Sequence, residues 1–271
     1  MEAKPMSQAP LPLDQCVAFA ESLAQEAGAL ALDWFRHTLD IETKADASPV
    51  TVADRAVEAH LRKAIAARFP DHAILGEEYG AEGSAGAPVW VIDPIDGTRS
   101  FISGWPVWGT LLALVQNGRS QLGVVEMPAL GERWSAVAGQ STWFTGRDGQ
   151  RTQAHASQCR DLARARFYTT SLLYFEGAAR AAIERLAARA AVARQGGDCY
   201  SYGLLASGHV DLVVETRLEP YDFLALVPVV EAAGGVITDW SGAALDMASD
   251  GRVIAASTPE LHRQARALLP A

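Results

Sequence analysis

The chain has no apolar run of the ~18 residues that a membrane-spanning helix needs; its longest candidates, 27–32 and 223–230, are short and flanked by acids. A spanning helix is therefore not expected. Positive charge is also scarce, with 23 Lys and Arg against 32 Asp and Glu and a net charge of −9. That balance argues against non-specific binding to nucleic acid or to an anionic membrane, and it means that an anionic substrate needs a cation from elsewhere. Cysteine numbers three, and Cys16, Cys159 and Cys199 lie too far apart for a disulfide framework or a zinc cluster. Buried thiols are expected. His37, His60, His72, His155, His209 and His262 show no ligand spacing and read as surface or helix-end residues. No internal repeat, low-complexity tract or flexible linker is visible. The first thirteen residues lack an apolar core and carry Glu2, Lys4, Pro5, Pro10 and Pro12, so they read as a loose leader rather than a secretion signal, and the expected location is cytoplasmic.

What is present is a folding composition. The 271 residues are 49% hydrophobic and 20% charged, enough for one large domain or two closely packed ones. Val17, Ala20, Leu23, Ala27, Leu30 and Trp34 recur every three or four positions and predict a helix over 14–37 capped by Asp14. A second helix is expected from Thr51 to the Phe69-Pro70-Asp71 stop, with Asp54 in its first turn. From residue 72 the texture turns to short β-type runs at 73–75, 89–92, 107–115, 122–127 and 133–137. The Asn117-Gly118 pair marks a hairpin, so this sheet should be largely antiparallel. After about residue 160, strands (167–169, 212–215, 236–238, 253–256) alternate with helices (175–190, 198–206, 221–233, 260–269), which predicts layered α/β architecture. The halves, 14–145 and 146–271, are expected to pack as one unit.

Three segments place acids beside glycine or proline at the ends of apolar runs: Gly76-Glu77-Glu78, Asp93-Pro94-Ile95-Asp96-Gly97-Thr98, and Pro220-Tyr221-Asp222. The middle one is the most informative. A buried strand at 89–92 runs straight into two carboxylates with no Lys or Arg before Arg99, and buried charge without compensation is costly. Pro94 forces a bend that turns Asp93, the Ile95 carbonyl and Asp96 toward one point, an oxygen donor set suited to Mg²⁺. If a helical turn starts at Gly97 and Thr98, their free amides favour an anion such as phosphate. Adjacent on an extended strand, Glu77 and Glu78 face opposite ways, so one joins the cluster and the other meets solvent. Asp222 reads as a ligand or as an N-terminal helix cap. Trp105 and Trp108 fit pocket or core, Cys199 has no histidine partner, and Gly234-Gly235 fits a helix C-terminal cap.

These three segments, in this order and spacing, resemble the inositol monophosphatase superfamily of Mg²⁺-dependent phosphatases, over nearly the whole chain. The run from Asp96 to Thr110, the segment from Gly196 to Gly203 and that from Pro220 to Pro228 resemble its histidinol-phosphate phosphatase branch, which serves histidine biosynthesis. The resemblance implies an αβαβα layered sandwich of the inositol monophosphatase/fructose-1,6-bisphosphatase type. The N-terminal α+β part would carry most metal ligands, and the C-terminal α/β part Asp222 and the specificity residues. It implies two or three Mg²⁺ ions: Glu77, Asp93 and the Ile95 carbonyl would hold one; Asp93, Asp96 and Asp222 a second; Glu77, through water, a third. Asp54 would hydrogen-bond Thr98 to orient the attacking water, and the Gly97 and Thr98 amides would take phosphate oxygens. A homodimer is implied as well.

Departures from the inositol-specific pattern are Arg99-Ser100 in place of Thr-Asn and Tyr221 in place of Trp. Against the histidinol-phosphatase pattern, Glu219 stands where lysine is common and Ala232 where glycine is common. The expected activity is hydrolysis of the small phosphorylated substrate histidinol phosphate, its ammonium met by Asp198 and Glu215, with Arg99 also at the substrate. The alternatives are an inositol-1-phosphate or broad sugar or nucleotide phosphatase of the same superfamily, and a non-catalytic partner-binding regulator. Asp198 also reads as a helix N-cap, and Glu215 as a solvated strand end.

Overall fold

The computed structural model describes residues 12–38, 41–43 and 49–270; most of the expected leader, 1–11, lies outside them. Helix α1 (Leu13–Leu32) is followed by the short pair β1 (Ile41–Thr43) and β2 (Pro49–Thr51), then α2 (Val52–Arg68). Strands β3 (Ala73–Gly76), β4 (Gly80–Glu82) and β5 (Val89–Asp96) lead into the short helix α3 (Thr98–Ile102). Five strands follow: β6 (Gly109–Gln116), β7 (Arg119–Met127), β8 (Glu132–Val137), β9 (Thr142–Thr145) and β10 (Arg151–Gln153). The second half runs β11 (Arg166–Thr169), α4 (Gly177–Arg189), β12 (Val192–Gln195), α5 (Tyr200–Ala206), β13 (Leu212–Glu215), α6 (Pro220–Phe223) and α7 (Leu226–Ala232). It closes with β14 (Val236–Asp239), β15 (Val253–Ala256) and α8 (Pro259–Arg266).

One sheet has eight strands in the order β10-β9-β8-β7-β6-β5-β3-β4, antiparallel except where β3 meets β5; the other has five, in the order β12-β11-β13-β15-β14. Alternation along the central strands explains the layering. Trp90, Ile92, Leu112 and Leu114 face a core shared with α1 and α2, while Val91, Leu111, Ala113 and Val115 face one shared with α5, α7 and the second sheet. The far side of that second sheet, through Phe167, Leu212, Val214 and Ile254, packs with Ile183 and Leu186 of α4 and Leu261 and Ala265 of α8. The result is the expected αβαβα sandwich, and no described helix is long and apolar enough to cross a membrane.

Several details depart from the sequence reading. Asp14 makes no cap; Pro12 precedes α1 and no side chain caps it. The helix ends at Leu32 because the chain turns, with Arg36 at a φ of 64° donating Nε–H to the Gly104 carbonyl. The expected helix over 221–233 is two pieces: Pro228 lacks an amide hydrogen for the Leu224 carbonyl, and Ser120 Oγ donates to that oxygen instead, at 2.8 Å. Gly123 makes the junction possible, since a Cβ there would lie 1.9 Å from the Ala225 carbonyl oxygen. Strand β12 was not foreseen because it is an exposed edge with no apolar alternation. Cys16 and Cys199 are buried but Cys159 is partly exposed, and His262 is buried in α8 against Thr238 rather than at the surface. The hairpin at Asn117-Gly118 and the helix end at Gly234 (φ 90°) are as expected.

Candidate active site

Strand β5 carries the centre of the site. In a regular strand Asp93 and Asp96, three apart, would face opposite sides. Here Asp93 pairs with Leu111 and Asp96 with Gly109, so one extra residue is bulged out and the two acids turn to the same side. Pro94 occupies the bulge, where it owes the ladder no hydrogen bond. Its carbonyl accepts from Thr110 Oγ1 at 2.8 Å, and the Ile95 amide donates to Asp93 Oδ1 at 3.0 Å. Asp222, at the third position of α6, accepts the Glu219 amide at 2.8 Å and is thereby aimed back at β5. Asp222 is thus not the N-cap, which is Glu219, but the third residue of the helix whose carboxylate takes the cap amide, and it meets Asp93 and Asp96, with one oxygen from each of the three within 4.8 Å of the others.

Glu77 completes the group. It sits in a turn, 77–79, and not on an extended strand as expected, because the amides of Glu78 and Tyr79 bond a helix side chain instead of a neighbouring strand. The Asp93 carboxyl lies within hydrogen-bonding reach of Glu77 and Asp222. Burial first, then mutual repulsion, pushes Asp93 and Asp222 well above the usual carboxylate range. Burial and the neighbouring Asp198 push Asp96 up to about 7.

These are the marks of a site shaped for a cation. Four carboxyl groups are clustered, and no Lys or Arg among the described residues is ion-paired to Asp93, Asp96 or Asp222. The donors are all oxygen, as a hard divalent ion requires. Asp54 adds a further sign. Its Oδ2 accepts from the Thr51 amide (2.8 Å) and hydroxyl (2.6 Å), while Oδ1 is buried with no partner. The expected Asp54–Thr98 hydrogen bond is not formed: Asp54 closes the capping box that starts α2, and Thr98 Oγ1 donates to the Ile95 carbonyl at 3.2 Å. Thr51-x-x-Asp54 was readable in the sequence as that capping signal.

The carboxylates open onto a cavity of about 560 Å³. Its lining includes Asp96, Gly97, Thr98 and Arg99 from the first half of the chain and Tyr174, Asp198, Glu215 and Asp222 from the second. Gly97, at a φ of 82°, precedes α3; a Cβ there would lie 2.9 Å from Asp198 Oδ2. Asp198 accepts Ser100 Oγ at 2.8 Å and does not cap α5, and the Cys199 amide donates to Asp96 at 2.7 Å, tying the two halves together across the site. Glu215 is 2% exposed and not a solvated strand end. Its Oε1 accepts the Thr170 amide (2.6 Å) and hydroxyl (3.0 Å), and burial, with Asp198 nearby, pushes it up to about 8. Arg99 hydrogen-bonds Tyr174, a wall residue that no sequence signal marked. Trp108 is core, whereas Trp105 is exposed and covers Gly196.

A profile of the inositol monophosphatase family matches residues 13–270. The chain belongs to the inositol monophosphatase family. The bifunctional phosphatase IMPL2 of Arabidopsis thaliana is 44% identical over 93% of this chain and 74% of its own. A histidinol-phosphatase of Chlorobaculum parvum is 38% identical over 82% and 85%. An inositol monophosphatase from Zymomonas mobilis of known structure superposes with a TM-score of 0.85 at 40% identity, over 96% and 99% of the two chains. The protein is therefore a phosphatase of this generally metal-dependent family, acting on small phosphorylated substrates.

The raised carboxyl groups give this family member a predictable pH response. An acid whose folded-state pKa is raised stabilises the fold below its unfolded value, 3.8 for Asp96 and 4.5 for Glu215, and that stability is lost as pH rises through about 7 and about 8. In EDTA the melting temperature is expected to fall as pH rises from about 4 to about 8. Mg²⁺ should reduce the fall, because a bound cation offsets the repulsion among the clustered carboxylates. Melts insensitive to both pH and Mg²⁺ would contradict the assignment.

Proposed function

We propose that the protein is a Mg²⁺-dependent phosphomonoesterase that hydrolyses histidinol phosphate to histidinol and phosphate. The observation that carries the substrate choice is a pair of carboxyl groups on the lining of the cavity. Asp198 and Glu215 both face it, both are held by hydroxyl or amide donors, and neither is ion-paired among the described residues. Two such carboxyl groups call for a cation on the ligand. Histidinol phosphate carries an ammonium, whereas inositol phosphate offers only hydroxyls. Arg99 and Tyr174 line the same cavity.

Glu77, Asp93, the Ile95 carbonyl, Asp96 and Asp222 would hold two or three Mg²⁺ ions, which supply Lewis-acid activation of water and charge stabilisation at the leaving oxygen when bound. The Gly97 and Thr98 amides hold phosphate oxygens. Asp54, with its free Oδ1, accepts a proton from the attacking water; Thr98 orients that water, and direct attack leaves no phosphoenzyme. Asp198 and Glu215 fix the leaving group so that its oxygen lies in line with the attack. The protein acts as a homodimer, measurable by light scattering.

The test is phosphate release from histidinol phosphate with Mg²⁺ and after EDTA. Mg²⁺-dependent turnover supports the reading; activity that survives EDTA overturns it. The likeness to the Zymomonas inositol monophosphatase keeps myo-inositol 1-phosphate as the comparison substrate.

A further inference from the structure

Helix α2 carries Asp54, Glu58 and Arg62 four residues apart, one above the other on a single face. Asp54, its Oδ1 buried without a partner, is the residue assigned above to the attacking water. Glu58 looks from sequence like an ordinary solvated helix acid paired with Arg62, yet it is 0% exposed, an expensive position for a carboxylate. Its oxygens are filled in a particular way. Oε1 accepts Arg62 Nε–H at 2.7 Å and the Tyr79 amide at 3.1 Å, and Oε2 accepts the Glu78 amide at 2.6 Å. Arg62 reaches onward: it donates to the Gly80 carbonyl and to Glu82 Oε2 at 3.4 Å, and its guanidinium lies 5.9 Å from the Tyr79 ring centre. Gly76 lets the carboxylate this close, since a Cβ there would fall 2.1 Å from Glu58 Oε1.

The segment from Gly76 to Gly80 is thus tied to α2 at three backbone points, the Glu78 and Tyr79 amides and the Gly80 carbonyl, and Glu77 lies immediately before the first. An apolar pair could hold helix to sheet equally well. Only an acceptor with two oxygens can take both amides and set the rotation of the turn. We infer that Glu58, oriented by Arg62, is a positioning residue that fixes the 77–79 turn so that the Glu77 carboxylate meets Asp93. This rests on the reading of Glu77 as a Mg²⁺ ligand.

Glu58→Gln keeps the volume but leaves one oxygen for two amides. Outer-shell groups of this kind change metal affinity by about 10–100-fold. The Mg²⁺ dissociation constant, from calorimetric titration, is expected to rise by that order, while kcat at saturating Mg²⁺ stays within a few-fold of the parent. Arg62→Leu should shift it in the same direction, and Glu77→Gln at least as far. A lowered melting temperature with unchanged Mg²⁺ affinity in folded Glu58→Gln would show a merely structural ion pair and overturn the inference. If Glu58→Gln does not fold, Arg62→Leu decides by the same criterion. A Glu77→Gln protein that binds Mg²⁺ like the parent overturns the ligand reading and the clamp with it; a shift in Glu77→Gln alone overturns only the clamp.

Discussion

Asp93→Asn is expected to lower kcat/KM by on the order of 10³-fold, since under the proposed function it loses a shared metal ligand and with it several kcal/mol of transition-state stabilisation at about 1.4 kcal/mol per decade. The same substitution should raise the melting temperature in EDTA at neutral pH. Asp93 is 1% exposed and crowded by Glu77, Asp96 and Asp222, so burial and repulsion favour a proton on its carboxyl when the metal-free chain folds. Asparagine has the shape of the protonated acid and needs none. For a chain of this size a gain of ~1 kcal/mol corresponds to about 2–4 °C, and it should grow as pH rises because the parent loses stability and the variant does not. The stabilisation that Mg²⁺ gives the parent should shrink in parallel. Activity assays and paired melts check both halves; a variant less stable in EDTA than its parent would contradict the picture of a fold strained for a cation.

Asp198→Asn is expected to reduce the preference for histidinol phosphate over myo-inositol 1-phosphate by on the order of 10²-fold, because a hydrogen bond between ionised partners contributes about 1.5–3 kcal/mol. The effect should fall on kcat/KM for the amine substrate and leave Mg²⁺ affinity close to that of the parent. Asparagine can still accept the Ser100 hydroxyl that now meets Oδ2, so a structural collapse is not expected. Glu215→Gln should act in the same sense with more loss of stability, since Glu215 binds the end of β11 through Thr170 and Thr169. Comparative kinetics on the two substrates read the change; an unaltered ratio in both variants would remove these residues from the recognition of the leaving group.

Much of this site was legible because its chemistry is compressed into short segments. Asp93, Pro94 and Asp96 announce a bend and a ligand pair within four residues, and the apolar run before them shows that the pair is buried. The layers were legible for a related reason: strands buried on both faces, such as β5 and β6, read as continuous apolar runs. What escaped was set by contacts distant in sequence. The split between α6 and α7 depends on Ser120 and Gly123, more than a hundred residues earlier. Glu77 and Glu78 looked extended because nothing nearby reveals that Glu58, on another element, takes the backbone amides of that turn. Asp54 shows the limit from the other side: its capping partner Thr51 is local and readable, while its unpartnered Oδ1 emerges only when the fold buries it. Tyr174 carried no signal, since a tyrosine beside an exposed Leu173 becomes a pocket wall only when Arg99 is brought against it.

The most direct measurement is a side-by-side determination of kcat/KM for histidinol phosphate and myo-inositol 1-phosphate, each with saturating Mg²⁺ and again in EDTA. The proposed function predicts that both activities disappear in EDTA and that histidinol phosphate is preferred by at least about tenfold, the smallest ratio that one ionic hydrogen bond to Asp198 or Glu215 should produce. Equal or greater efficiency on inositol phosphate, or turnover that persists without metal, would contradict it.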